Sequence, residues 1–394
     1  MSAVRSCPVC SCLEVEELHR HRFVLFDGHP LAGDCSTVIC KNCSMAFNQT
    51  TAPAEVYDSY YASLSKYAIS FSPPSGESRF TKTAKLFSAL CPDKNLSILD
   101  VGCGSGGILA SLRDLGYDRL TGLDPSPSCV ELVKNELGIE AKVGTLDDPP
   151  FKPESFDVVV STGVFEHLLS PIKALSSIAK LLASGRERGG AFIMVPDASR
   201  YVDYLDSPLQ DFNVEHINHF NPRTLSYLFE LQGWTSSFFG GDKLSLTSKW
   251  TEPIAYGLFS HNNSKNISVK TKFDMSFKSK ILDYIDKSTK LLDKIDKNLR
   301  KNLLNDDEVI LWGCGQLSSL LLSQTVLGEK KLRAVLDSNP VYRNRRLVGA
   351  PVGGPELKGD FDGPVVISSI REHHSIESQI KDNLGWNNRI ISLI

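Results

Sequence analysis

The sequence predicts an α/β protein whose central domain is a parallel sheet covered on both faces by helices. Three observations predict it. Five short apolar runs, Ser97–Val101, Arg119–Asp124, Glu140–Gly144, Phe156–Ser161 and Ala191–Val195, alternate with helical patterns, as strands buried on both sides by crossover helices do. Six of the ten cysteines lie before residue 44, which sets a different kind of segment ahead of the sheet. A second βαβ pattern, Val309–Trp312, Leu332–Leu336 and Val365–Ile370, closes on the apolar stretch Arg389–Ile394.

These observations divide the chain into residues 1–75, cysteine-rich with a helical extension; 76–255, the central sheet domain; 256–305, a linker and long helix; and 306–394, a small α/β domain. The first ends in the breaker Ser72-Pro73-Pro74-Ser75-Gly76. The second closes on Trp234–Phe239 and Leu244–Ser248, which Gly240-Gly241-Asp242-Lys243 separates as a hairpin turn would. After the polar linker His261–Asn266, Phe277, Ile281, Ile285, Ser288, Leu292, Ile295, Leu299 and Leu303 mark one face of an amphipathic helix, a domain-packing or dimer surface. Asp283/Lys287, Asp286/Lys290 and Asp293/Lys297 form acid-first i,i+4 pairs on its solvated side.

The 394 residues are 41% hydrophobic and 23% charged, the balance of a globular protein. A net charge of -3 and a pI near 6.3 carry no polyanion-binding signal, so nucleic acid is not expected as a partner. Met1–Val9 has no apolar signal-peptide core. No run reaches the ~20 apolar residues of a membrane span. The expectation is a cytoplasmic monomer or dimer with no membrane contact.

Cys7-Pro8-Val9-Cys10 and Cys40-Lys41-Asn42-Cys43 are two Cys-x-x-Cys knuckles. Each can give two thiolates to one tetrahedral ion, and four thiolates favour structural Zn2+ with no open position. The alternatives are reduced surface thiols or a redox dithiol, which would need a thioredoxin-like βαβ around one pair. Cys12 and Cys35 have no partner at knuckle spacing.

Ile98-Leu99-Asp100-Val101-Gly102-Cys103-Gly104-Ser105-Gly106-Gly107 is a strand entering a glycine turn, followed by the helix Ile108–Leu115. Glycines let the backbone turn tightly and let a ligand approach it. Gly102, Gly104 and Gly107 also satisfy G-x-G-x-x-G, so a dinucleotide site is the competing reading. Asp100 weighs against it, because a carboxylate just before the turn repels a pyrophosphate and suits a cationic sulfonium amino acid. Phe156-Asp157-Val158-Val159-Val160 and the closing strand pair follow the same direction.

Over roughly residues 80–250 the sequence resembles the class I S-adenosylmethionine-dependent methyltransferases, which have a Rossmann-like fold. The resemblance implies S-adenosyl-L-methionine as cofactor, with Asp100, Gly102 and Gly104 at its methionine end and Gly106 in the same turn. It implies Asp124 as acceptor for the ribose hydroxyls; the alternative for Asp124 is a helix N-cap before Pro125. Thr145 and Leu146 would wall the adenine, although Gly144-Thr145-Leu146-Asp147-Asp148 lacks the usual acid directly after the glycine.

Methyl transfer from a sulfonium needs an acceptor held in line and relieved of its proton. Open α/β sheets bind ligands at the C-terminal strand ends. Two clusters follow such ends: Glu166-His167 after the fourth strand, and Glu215-His216 beyond the fifth. His216 is the preferred base, tuned by Glu215, with His167 beside it. Glu166-His167 also reads as a cap and scaffold pair, and His219-Phe220 as an anchor for the helix Pro222–Gln232. Tyr201 and Tyr204 are read as substrate-orienting or as surface aromatics.

The domain order resembles the three-domain, zinc-containing nucleotide-sugar C-methyltransferases, which act at C3 of nucleotide-linked deoxy-keto sugars. Glu215-His216 matches their Glu-His pair, whose histidine takes the proton α to the ketone. Their Tyr three residues before that His is Asn213 here, a weaker donor to an enolate. In the C-terminal domain Gly313-Cys314-Gly315, followed by Asp337, is similar to a mononucleotide-binding turn without its third glycine. Arg343, Arg345 and Arg346 are phosphate candidates or a solvated basic loop. The expected activity is therefore C-methylation of a nucleotide-linked keto-deoxysugar. The alternatives are O- or N-methylation of another sugar or small metabolite, and an RNA methyltransferase whose zinc knuckles read RNA.

Overall fold

A computed structural model of the chain describes residues 5–50, 52–63, 78–183, 190–245, 251–261 and 274–394. It divides into two units. Met1–Glu17, Val38–Tyr204 and Glu215–Ser279 form the first, and Leu18–Thr37, Leu205–Val214 and Lys280–Ile394 the second.

Through the first part of the chain the elements are β1 (Val15–Arg22), β2 (Asp34–Cys40), β3 (Ala46–Gln49), α1 (Ala54–Ser63), α2 (Arg79–Leu90), β4 (Ile98–Val101), α3 (Gly107–Asp114), β5 (Leu120–Asp124), α4 (Pro127–Leu132), β6 (Glu140–Val143), β7 (Val158–Thr162), α5 (Pro171–Leu181), β8 (Gly190–Pro196), β9 (Asn218–His219), α6 (Pro222–Leu231), β10 (Trp234–Ser245) and β11 (Thr251–His261). The main sheet runs β10-β11-β8-β7-β4-β5-β6. Its pairs are parallel from β6 to β8, while β11 and β10 are antiparallel additions. Successive strand residues face opposite sides. Leu99, Val101, Val159, Ile193 and Val195 fill one core, and Ile98, Val158, Val160, Phe192 and Met194 the other. The five expected strands are present, each within a few residues of its sequence bounds, and both faces are buried.

One expectation is corrected. Gly240 and Gly241 make no hairpin turn; they lie inside the twelve-residue β10, opposite Tyr256 and Ala255 of β11. Leu244 and Ser245 continue β10, and residues 246–250 lie outside the described ones. Gly241 answers to crowding, since a Cβ there would stand 3.1 Å from Asp197 Oδ2. His261 likewise ends β11 rather than opening a linker, and the remaining linker residues 262–266 lie outside the described ones.

The second unit takes most of α7 (Phe277–Asn302), then β12 (Glu308–Trp312), α8 (Gln316–Gln324), β13 (Lys331–Leu336), β14 (Arg346–Leu347), β15 (Ala350–Gly353), β16 (Val365–Ile367), α9 (His373–Ser378) and β17 (Ile390–Ile391). Every residue of the α7 stripe named above is buried, and Tyr284 joins them. Asp283/Lys287 and Asp286/Lys290 close at 2.9 and 2.6 Å. The sheet order is β14-β15-β13-β12-β16-β17, with parallel pairs around the central β12. No described helix is long and apolar enough to cross a membrane.

Candidate functional site

The two cysteine knuckles fold alike. In each, the first cysteine's carbonyl accepts from the serine four residues on, Ser11 at 2.9 Å and Ser44 at 3.0 Å. Both serines take left-handed φ values, 58° and 60°. The turns bring the Sγ atoms of Cys7, Cys10, Cys40 and Cys43 within 4.8 Å of one another. Cys7–Cys43 and Cys10–Cys40 lie at 3.5 and 3.6 Å. A tetrahedral ion with bonds of about 2.3 Å to sulfur needs about 3.8 Å between sulfurs, so the donor set fits one. Thiol donation from Cys43 and Cys7 pulls the Cys40 thiol far below its ordinary range. Cys35 belongs to the second unit, and burial pushes its thiol up to about 12.

The glycine turn leaves β4 and is drawn onto β5, where Gly102 donates its N–H to the Leu123 carbonyl at 2.7 Å. Gly102, Gly104 and Gly106 have φ of 70°, 51° and 86°, the left-handed region that glycine tolerates. Asp124, at the end of β5, accepts from Gly104 N–H at 2.8 Å and from Ser126 N–H at 2.9 Å. Ser126, not Asp124, caps α4. Asp100 is 1% exposed, and its Oδ2 is buried with no hydrogen-bond partner. Burial and then the Asp124 charge hold its carboxyl well above the usual range. A buried carboxyl oxygen left without a partner costs free energy. Thr145 follows β6 and accepts the Asp147 N–H at 3.2 Å, while Leu146 is buried in the core with Val101 and Leu123.

The loop after β7 lies against this turn, since a Cβ on Gly102 would stand 2.5 Å from Val164 Cγ2. That loop carries Glu166 and His167. The backbone N–H of Ile217 donates to the Glu166 carbonyl at 2.8 Å, which brings Glu215 and His216 alongside. The rings of His167 and His216 stand edge to face, centroids 4.9 Å apart. His167 Nδ1 lies 2.9 Å from the Glu215 carbonyl, which can only accept, so this nitrogen carries the proton and Nε2 the lone pair. Glu166 is 3% exposed with Oε2 unpartnered, and burial raises its carboxyl from 4.5 to about 8. Ligand atoms of Glu166, His167 and His216 lie within 4.8 Å of one another.

Two residues that sequence reasoning missed complete the cluster. Helix α1 brings the Tyr61 hydroxyl to 3.0 Å from His167 Nδ1, and the Tyr60 hydroxyl donates to Glu215 Oε1 at 2.9 Å. Only the aromatic density of Tyr57–Tyr67 signalled them. Asn213 belongs to the second unit. His219 is buried and bonds Asn48 Oδ1 at 3.2 Å, Phe220 shares a core with Leu225, Leu228 and Phe229 of α6, and Asn221 caps that helix with a reciprocal Thr224 bond. Tyr201 is no surface aromatic; it is buried with its ring edge-on to His219.

Residues 76–236 match the family described as a methyltransferase domain. The chain carries a class I, S-adenosylmethionine-dependent methyltransferase domain. Curated relatives include the tRNA U34 carboxymethyltransferase of Shewanella baltica, 38% identical over 106 residues, or 25% of this chain and 31% of the relative. The same-named protein of Cellvibrio japonicus is 36% identical over 99 residues, 23% of this chain and 31% of the relative. The chain thus matches under a third of the length of these relatives. Among solved structures, a SAM-dependent methyltransferase from Methanosarcina mazei aligns at 18% identity and TM-score 0.37, covering 44% of this chain and 95% of that one. A chain from a complex containing the Trm112 methyltransferase activator of Haloferax volcanii aligns at 24% identity and TM-score 0.37, covering 46% and 91%.

Proposed function

We propose that the methyltransferase domain moves a methyl group from S-adenosyl-L-methionine to a carbon acceptor on a nucleotide-linked keto sugar, with His216 as general base. The observation that carries this reading is the paired imidazoles of His167, on the loop packed against the glycine turn, and His216, flanked by the Tyr60 and Tyr61 phenols. Bound at that turn, the cofactor supplies an electrophilic methyl on a sulfonium. Asp100 neutralises the ligand's cationic end, Asp124 receives the ribose hydroxyls, and Thr145 with Leu146 borders the base. His216 takes the proton α to the ketone as the Tyr61 phenol donates to the oxygen where charge develops. Glu215 holds Tyr60 in place. A zinc ion on Cys7, Cys10, Cys40 and Cys43 has no open position and would take no direct part in the chemistry.

A second reading takes an RNA base as acceptor. It is favoured by the curated relatives, whose names state tRNA U34 as their substrate. Their matched stretches cover about a quarter of this chain, and the net charge of -3 works against a phosphate-dominated partner. Incubating candidate nucleotide-keto-sugars in deuterated solvent without cofactor separates the readings. Deuterium entering at the α-carbon supports proton abstraction from carbon. Methylation without such exchange moves the acceptor to oxygen or nitrogen. Salt-sensitive tRNA binding with methyl incorporation into tRNA replaces the first reading by the second.

A further inference from the structure

We propose that Arg5 is a positioning residue which transmits metal occupancy of the Cys7–Cys10–Cys40–Cys43 cluster to the imidazoles of His167 and His216. The inference rests on the functional reading above for the role of those imidazoles, but not for its geometry. The Arg5 guanidinium is withdrawn from solvent, and burial lowers its pKa to about 10. Its two terminal nitrogens together make five hydrogen bonds. Nη1 donates to the carbonyls of Asn48 at 3.2 Å and Ile217 at 3.0 Å. Nη2 donates to the carbonyls of Leu168 at 3.2 Å and Leu169 at 3.1 Å, and to Asn218 Oδ1 at 2.7 Å.

Four of those acceptors adjoin the histidines, and the fifth, the Asn48 carbonyl, belongs to β3. Leu168 directly follows His167, and Ile217 directly follows His216. Asn218 reinforces the arrangement by donating to the Phe165 and Leu168 carbonyls at 2.8 and 2.7 Å, and Asn48 by donating to the His216 carbonyl at 3.2 Å. Arg5 therefore ties both loops together. Its own backbone is fixed to Gln49 by reciprocal bonds of 2.9 and 3.0 Å.

The other end of the connection is the metal cluster. Only Ser6 separates Arg5 from Cys7, and Cys7 Sγ reaches Cys43 at 3.5 Å. An ion that fixes Cys7 fixes the backbone from which the Arg5 side chain extends. Without the ion the two knuckles lose the bonds that join them, and the backbone at Cys7 is no longer pinned. A lysine cannot replace the fork, because one ammonium cannot span five acceptors on three segments.

The test follows the imidazole C–H resonances of His167 and His216 by NMR in the full chain, with no acceptor present. Wild type is compared with Arg5→Lys and Arg5→Ala, each loaded with zinc and after chelation. In wild type, chelation should shift both resonances. In Arg5→Lys the loaded protein should already resemble the chelated wild type, and chelation should change little more. S-adenosylmethionine affinity should stay within about threefold, since Arg5 bonds no residue of the glycine turn. This confirms a folded domain should Arg5→Ala fail to fold. Turnover of Arg5→Lys should fall in kcat on the order of 100-fold with KM nearly unchanged, the cost of a misplaced group. Unmoved resonances on chelation of wild type, or an equal shift in Arg5→Lys, would overturn the proposal. Because the resonances are read without substrate, failure of the assumed methyl acceptor leaves this result intact.

Discussion

The imidazole of His167 stands edge-on to that of His216, ring planes 76° apart, with the Glu215 carbonyl fixing the proton of His167 on Nδ1. The pair therefore presents one nitrogen lone pair beside a second titratable ring. Proton transfer at such a pair contributes rate, not cofactor affinity. His216→Asn should lower kcat on the order of 1,000-fold, within the usual range for a general base. Calorimetric binding of S-adenosylmethionine should be unchanged. Turnover at the wild-type rate would remove His216 from the mechanism.

Tyr61 shares the Nδ1 side of His167 at 3.0 Å. Tyr61→Phe keeps the ring contact with the imidazole and deletes only the hydroxyl. A drop in kcat of about 10- to 100-fold, the scale on which orienting hydrogen bonds act, is expected in steady-state kinetics. An equal loss in Tyr61→Phe and Tyr61→Ala would assign the whole effect to the hydroxyl.

Asp100 is the group through which cofactor affinity should depend on pH. Burial and Asp124 hold its carboxyl above the usual range, so the unbound protein keeps it protonated to higher pH than free aspartate. A cationic ligand favours the ionised form, so affinity should climb as pH rises and level off once Asp100 is ionised without ligand. Asp100→Asn should bind about 10- to 100-fold more weakly, the worth of a hydrogen bond to a charged group. Its profile should be flatter with pH; an identical profile would place the titration elsewhere.

Glu166 makes a stability prediction of definite sign. Its carboxyl titrates near 4.5 in the unfolded chain and about 8 in the folded one. Between those values the unfolded chain gives up a proton that the folded chain keeps, so stability falls as pH rises and flattens above 8. Glu166→Gln should remove that slope and raise the melting temperature above pH 8, at about 2–4 °C per kcal/mol recovered. A slope that persists in the variant would mean another group is responsible.

Much of this was readable in the sequence because the signals are local. The α7 stripe obeys a 3.6-residue period and is buried as that period demands. The glycine turn, Asp100 and Asp124 sit at fixed offsets along two adjacent strands, and the two cysteine knuckles carry their own turn geometry. What the sequence concealed depends on distant pairing. Tyr60 and Tyr61 meet Glu215 and His167 across more than 100 residues, so no spacing rule links them. Gly240-Gly241 misled for the opposite reason. A glycine pair signals a turn only if nothing nearby crowds the strand, and Asp197 is a neighbour visible only in three dimensions.

The bonds of Arg5 also order the birth of the site in time. Its partners on the carbonyl side lie as far as 212 residues along the chain. A ribosome delivers that arginine long before its last acceptors, and contacts of such separation close slowly. The cysteine knuckles can finish early, but the histidine loops cannot set until this late closure occurs. A nascent chain would thus hold its metal well before it could do chemistry.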